Sequence, residues 1–211
     1  MPERVAALIV DLDGVIRHWS NSEFEALAAA AELSLEELAD IAFEPELLAA
    51  AMTGLVVFED WADEIGRRAS ALYGSDPVSL AAGWCALGWT IDEHVLGLLR
   101  EVRAAGRAQV ALFSNASTRL EVDLESSGIH DEFDVIFNSA RLGLAKPDLE
   151  AFRTVAGLLE VPLERCLFVD DTVANVEGAH AAGMQAAAFT GLEELRSLLE
   201  RAGLLDGAAA P

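Results

Sequence analysis

Basic side chains are scarce in this 211-residue chain: 14 Lys and Arg stand against 36 Asp and Glu, for a formal charge of −22. Lysine occurs once, at position 146. Such a surface repels nucleic acid and anionic membranes, so neither is expected as a partner. The surplus of acid is what solvated helix faces carry. Cysteine is limited to Cys85 and Cys166, far apart and outside any CxxC spacing. That argues against a redox motif or a zinc site, and both read as small core residues in a reducing compartment. No apolar stretch reaches the length of a membrane span, and residues 1–20 lack a basic segment followed by an apolar signal core. The expected location is therefore cytoplasmic. Internal repeats and low-complexity linkers are also missing.

What is present is a chain with 53% hydrophobic residues, enough for one α/β core with an insertion or for two small domains. The run Val5 to Val10 is uncharged and ends in Asp11-Leu12-Asp13-Gly14. A continuous apolar run of this length reads as a buried strand of a mostly parallel sheet. Its two acids sit where a strand leaves the sheet, the edge at which open α/β sheets bind ligands. Carboxylates so close repel each other unless a cation or a shared proton compensates.

From Ser22 to about Gly88 the pattern is helical. Ser34-Leu-Glu-Glu37 fits a capping box, Pro45 opens a helix and Gly54 closes it. Phe58 to Tyr73 is amphipathic, with Phe58, Trp61, Ile65 and Leu72 on one face and Gly74 as the stop. Val78 to Leu87 makes a further short helix, and Trp61, Trp84 and Trp89 read as core. A helical block of this size after the first strand is an insertion, expected as a separate helical unit over residues 17–88, with the α/β core formed by 1–16 and 89–211.

Alternation then resumes. A second capping-box match, Thr90-Ile-Asp-Glu93, opens a helix to about Ala105. Strands are expected at 109–113, 133–137, 166–169 and 185–189. Between and after them come helices over 117–127, from Pro147 as first position through Leu159, over 173–182, and over 192–204; Ala208 to Pro211 is expected to fray. This order predicts a Rossmann-like parallel sheet with helices on both faces. Three strands end in polar groups, Asp11/Asp13, Ser114/Asn115 and Asp170/Asp171, which a parallel sheet gathers at one edge, with Lys146 on a loop nearby.

Four carboxylates without Cys or His neighbours are hard oxygen ligands and suit Mg²⁺, which often shares its site with phosphate. Ser114 and the following backbone N–H groups offer donors to an anion, and Lys146 offers a charge. Such a set points to phosphoryl transfer, with one carboxylate attacking phosphorus and another moving protons.

These motifs resemble those of the haloacid dehalogenase superfamily, in order and over essentially the whole chain. The resemblance implies Asp11 as nucleophile and Asp13 as acid/base in Asp11-Leu-Asp13-Gly14-Val15. It implies Ser114, with Asn115, on the phosphoryl group, and Lys146 of Lys-Pro-Asp neutralising nucleophile and phosphate. Asp170 and Asp171 are implied as Mg²⁺ ligands beside Asp11 and the backbone carbonyl of Asp13, with Asn175 bracing the acidic pair. His18 and Trp19 are candidates to face the substrate, a hinge or packing role being the alternative.

The details look most like the helical-cap branch that holds sugar-phosphate phosphatases and the phosphatase domains of epoxide hydrolases. The expected activity is Mg²⁺-dependent hydrolysis of a small phosphorylated metabolite by a monomer or homodimer. A phosphomutase and a catalytically weak metabolite-binding regulator remain open alternatives. Dehalogenases of the family usually lack an acid at position 13, and phosphonate hydrolysis in the family needs a cap lysine, which this chain does not have.

Overall fold

The first strand, β1 (Ala7–Val10), is buried over its whole length, as expected of an uncharged run with neighbours on both sides. The computed structural model describes residues 4–206; the fraying expected at Ala208 to Pro211 falls outside them. After β1 come a short strand β2 (Arg17–Trp19) and five helices, α1 (Asn21–Ala30), α2 (Leu35–Ala42), α3 (Pro45–Met52), α4 (Phe58–Tyr73) and α5 (Pro77–Cys85). The chain returns through β3 (Trp89–Ile91) to α6 (Glu93–Ala105), β4 (Gln109–Ser114), α7 (Leu120–Ser126), β5 (Val135–Asn138) and α8 (Ser139–Leu142). It closes with α9 (Leu149–Leu159), β6 (Cys166–Asp170), α10 (Val173–Ala182), β7 (Gln185–Ala188) and α11 (Leu192–Arg201).

Five strands form one sheet in the order β5-β4-β1-β6-β7, every pair parallel. Side chains alternate between its faces. Leu8, Val10, Val110, Leu112, Leu167 and Val169 face one way and pack with residues of α6, α7 and α11. Ala7, Ile9, Ala111, Phe113, Cys166 and Phe168 face the other way, against α9 and α10. On this second face Phe152 of α9 meets Phe113 and Phe168 edge-on, with ring centroids 5.9 and 5.2 Å apart. Cys166 is sealed here, and burial pushes its thiol up to about 11, so it behaves as a packing residue. Among the described residues no helix is long and apolar enough to cross a membrane.

Helices α1–α5 have a hydrophobic cluster of their own, running from Ala28 to Trp84. Trp61 and Trp84 sit at its centre, their centroids 5.3 Å apart, and Trp61 Nε1 donates to the Ala42 carbonyl. The Ser34 capping box is present, with Glu37 reaching back to the Ser34 N–H. Gly74 takes the left-handed conformation that ends α4.

The differences from the sequence expectations are local. Arg17–Trp19, expected in the helical insertion, pairs antiparallel with Trp89–Ile91 as a two-stranded ribbon; three-residue strands 70 positions apart leave no periodic signal. Thr90 is therefore in a strand, opposite His18, and Asp92 caps α6 by accepting from the His94 and Val95 N–H groups. Leu72 is exposed, like Tyr73 beside it, so the buried face of α4 ends at Ala69. Helix α7 starts at Leu120 and not at Ser117: the Ser117 carbonyl accepts from Asn138, and Thr118 Oγ1 accepts from the Phe58 N–H. Helix α9 starts two residues after Pro147, with Asp148 as its cap. Helix α8, with four residues, was too short to show a period.

Phe152→Ala is expected to cost about 3–5 kcal/mol, read as a fall of roughly 10 °C in the thermal midpoint. A loss below about 1 kcal/mol would mean that the aromatic cluster is not what joins α9 to the sheet.

Candidate active site

The turn after β1 is built so that its residues fold back on themselves. The Leu12 carbonyl accepts from both the Ile16 and Arg17 N–H groups, and the Gly14 N–H donates to the Arg17 carbonyl. Gly14 has φ +82°, and a Cβ at this position would overlap the Asp171 carboxylate. A glycine is required here for both reasons, and its lack of a side chain lets the loop after β6 approach the loop after β1.

Asp11, Asp13, Gly14, Ser114, Asn115, Lys146, Asp171, Thr172 and Asn175 line one cavity of about 430 Å³ at the carboxyl ends of the strands. At its floor Lys146 Nζ lies 2.8 Å from Asp11 Oδ1 and 2.6 Å from Asp170 Oδ2, and donates to the Phe113 carbonyl at 3.0 Å. Its three donors thus tie β1, β4 and β6 together. Lys146, Asp11 and Asp170 are all buried. Burial pushes the Asp11 carboxyl up to about 7; Lys146 pulls against this and Asp170 adds to it.

Asn115 holds the Lys146 loop from both sides: its amide donates to the Lys146 carbonyl and accepts from the Lys146 N–H, each at 2.8 Å. The Asn115 side chain thus braces the Lys146 loop while it also lines the cavity. Asn175 Nδ2 bonds both oxygens of Asp170 at 3.0 and 3.1 Å, and the Thr172 N–H bonds Asp170 Oδ1. Asn175 thus braces Asp170, and Asp171 is the exposed member of the pair.

Ser114 Oγ is buried, lines the cavity and is the one buried side-chain polar atom without a partner among the described residues. An orphaned hydroxyl at such a place calls for a ligand. Asp11, Asp170 and Asp171 bring carboxylate oxygens within 4.8 Å of one another. An all-oxygen set of this kind, next to a free hydroxyl donor, fits Mg²⁺ with an anion beside it.

Asp13 is held from the opposite side. Arg17 Nε and Nη2 reach its two oxygens at 2.7 and 2.8 Å, and Trp19 Nε1 donates to Oδ1 at 2.7 Å. Trp19 thus contacts a site residue without lining the cavity. His18 lies between these two on β2, so its side chain projects to the other face of the ribbon, away from Asp13. Neither His18 nor any residue of α1–α5 lines the cavity. Arg17 and Thr172 are the site residues that sequence reasoning missed. A lone arginine four positions after an acid carries no distinctive pattern, and neither does Thr172, whose N–H bonds Asp170 and whose hydroxyl donates to Asp171 Oδ1 at 3.2 Å.

A family model of haloacid dehalogenase-like hydrolases matches residues 5–183. The chain belongs to this family. Among curated relatives, the phosphatase MT3486 of Mycobacterium tuberculosis is 39% identical over 90 residues, 42% of this chain and 41% of that protein. The sesquiterpene phosphatase astK of Aspergillus oryzae is 34% identical over 93 residues, 44% of this chain and 47% of that protein. The matches thus span less than half the length of these relatives. In fold, the chain resembles a haloacid dehalogenase family enzyme of Bacteroides thetaiotaomicron with a TM-score of 0.74 at 20% identity, over 93% of this chain and 99% of that one. That enzyme has also been solved in complex with magnesium and inorganic phosphate, a structure to which this chain aligns with a TM-score of 0.69 at 19% identity, over 87% of this chain and 93% of that one.

Two predictions follow from the geometry. In metal-free protein Asp11 binds its proton more tightly folded than unfolded, where its ordinary value is 3.8. Its contribution is greatest in acid and is lost as pH rises toward about 7. Asp11→Asn removes this slope, so the variant is expected to melt a few degrees above the parent at neutral pH, with the gap shrinking toward pH 4; equal pH profiles would refute the assignment. Gly14→Ala is expected to cost about 1 kcal/mol and, by displacing Asp171, to weaken Mg²⁺ binding about tenfold or more in calorimetry. Unchanged affinity would remove Asp171 from the metal set.

Proposed function

We propose that this chain is a Mg²⁺-dependent phosphomonoesterase acting on a small phosphorylated metabolite through an aspartyl-phosphate. The observation that carries the proposal is the orphaned Ser114 hydroxyl facing the same cavity as Asp11, Lys146 and the acidic cluster. Family membership and the phosphatase names of the two curated relatives support it.

In this proposal a substrate phosphoryl group enters the cavity with Ser114 Oγ donating to one of its oxygens. Lys146 and the Leu12 N–H both hold Asp11 Oδ1, which leaves Oδ2 as the attacking atom. An Asp11 O–P bond forms as the bond to the leaving oxygen breaks, and Asp13 delivers a proton to that oxygen. Asp13 then takes a proton from a water that attacks phosphorus. The acyl phosphate is cleaved, inorganic phosphate leaves, and both acids return to their starting states. Asp11, Asp170 and Asp171, with the Asp13 backbone carbonyl, would hold Mg²⁺, whose charge offsets that of the phosphoryl oxygens. Lys146 keeps Asp11 and Asp170 from repelling each other before substrate arrives.

Residues 17–88 are proposed as a cap and the remainder as the catalytic core. The separate hydrophobic cluster of α1–α5 supports this division. A cap that moves over the strand edge excludes water and selects the leaving group.

The test is p-nitrophenyl phosphate and a panel of sugar phosphates, with Mg²⁺ and with chelator. Activity is expected only with metal and is expected to vanish in Asp11→Asn. Asp13→Asn is expected to keep Mg²⁺ and phosphate binding while turnover falls by about 100-fold or more. Inactivity of the parent on every substrate, or full activity of Asp13→Asn, would overturn the proposal.

A further inference from the structure

Resting on the phosphatase reading, we infer that Arg17 is the positioning residue for Asp13, and that Asp123 and Arg119 connect its grip to helices α4 and α5. Arg17 is 4% exposed, and every polar edge of its guanidinium is used. One edge forks onto both oxygens of Asp13, and Nη1 reaches Asp123 Oδ2 at 3.3 Å. The plane lies 4.6 Å from the Trp19 ring centroid and 5.4 Å from that of Trp89. A forked contact fixes the plane of a carboxylate as well as its distance, so the orientation of Asp13 follows that of Arg17.

Asp123 is itself buried between two arginines, with Arg119 Nε at 2.9 Å from its Oδ1. Arg119 in turn donates through Nη1 to the carbonyl of Cys85, at 2.8 Å, and its guanidinium lies 4.8 Å from the centre of the Phe58 ring. Cys85 is the last residue of α5 and Phe58 the first of α4. The Cys85 carbonyl belongs to a helix C-terminus, where a cation is favoured. A line of alternating charge, Asp13, Arg17, Asp123, Arg119, therefore runs from the cavity to two helices that do not line it. Movement of those helices shifts the anchor of Arg119, and through Asp123 the fork that aims Asp13.

A residue that aims the proton donor affects substrates according to how much their leaving oxygen needs a proton. With Mg²⁺, kcat/KM, which covers the steps up to departure of the leaving oxygen and not the later hydrolysis of the acyl phosphate common to all esters, is to be measured over a series of phosphate esters from dinitrophenyl to phenyl and alkyl, for the parent, Arg17→Met, Arg17→Lys and Arg119→Met. Arg17→Met is expected to lose about tenfold or more on the alkyl and phenyl esters, with less than about threefold on the dinitrophenyl ester. Arg17→Lys is not expected to rescue it, because an ammonium cannot fork. Arg119→Met is expected to show the same selectivity in weaker form, and Arg17→Met is expected to add nothing in an Asp13→Asn background.

If Arg17→Met does not fold, Trp19→Phe, which removes one donor from Asp13 at a half-exposed side chain, is expected to show the same selective loss in smaller degree. A loss equal across the series, or full additivity with Asp13→Asn, would overturn the inference while leaving the phosphatase proposal intact. An inactive parent would overturn both.

Discussion

The site depends on one buried ammonium. Asp11 and Asp170 stand at the ends of adjacent strands and are both buried, and two carboxylates so placed oppose each other and the loss of hydration. Lys146 Nζ touches both. Removing the lysine would leave both carboxylates buried without a counter-charge, which typically costs about 3–5 kcal/mol, whereas Lys146 without Asp11 still has Asp170, so it is on the ammonium that the sheet edge and the charge balance depend. The surrounding contacts serve this balance: Asn115 fixes the backbone of Lys146, and Asn175 fixes Asp170. In a chain with a single lysine among 36 acids, the one ammonium is buried, where a charge does most.

The parts legible in the sequence were those governed by a strong local signal. Uncharged runs ending in acids marked β1 and β6, and because a parallel sheet places its carboxyl ends together, the positions of Asp11, Ser114 and Asp170 followed. The limits of α4 followed from a clear period and a terminal glycine, and the end of α10 from its glycine alone. What escaped were contacts made between distant segments. The Arg17–Trp19 ribbon depends on a partner strand beyond five helices. The bond between Asn115 and the Lys146 backbone escaped because a position beside Ser114 says nothing about a residue 31 places later. His18 and Trp19 are neighbours in sequence but project to opposite faces of a strand that no periodicity announced.

The floor of the site and its rim have different supports. The floor lies in the sheet, where strands paired along their length leave little freedom. The rim is carried by the turn after β1, the ribbon and α1–α5, whose hydrophobic cluster is distinct from the two that flank the sheet. The turn and the ribbon are anchored in the core by Leu12, Val15, Ile16 and Ile91, whereas α4 and α5 meet it through polar contacts, Arg119 to the Cys85 carbonyl and the Phe58 N–H to Thr118. Polar contacts at a junction can be exchanged for water at lower cost than buried apolar area, as the proposed cap movement requires.

The placement of the four tryptophans has an optical consequence. Trp61 and Trp84 are enclosed among the helices, whereas Trp19 and Trp89 sit edge to face on the ribbon, 5.2 Å between centroids. Trp19 is 44% exposed while its indole N–H is bonded to Asp13. Its emission therefore depends on a carboxylate and a guanidinium that are both part of the site's rim, while the enclosed pair gives a steady background. A change in the Asp13 clamp is therefore expected to alter the Trp19 share of the intrinsic fluorescence, with no dye attached and no residue replaced.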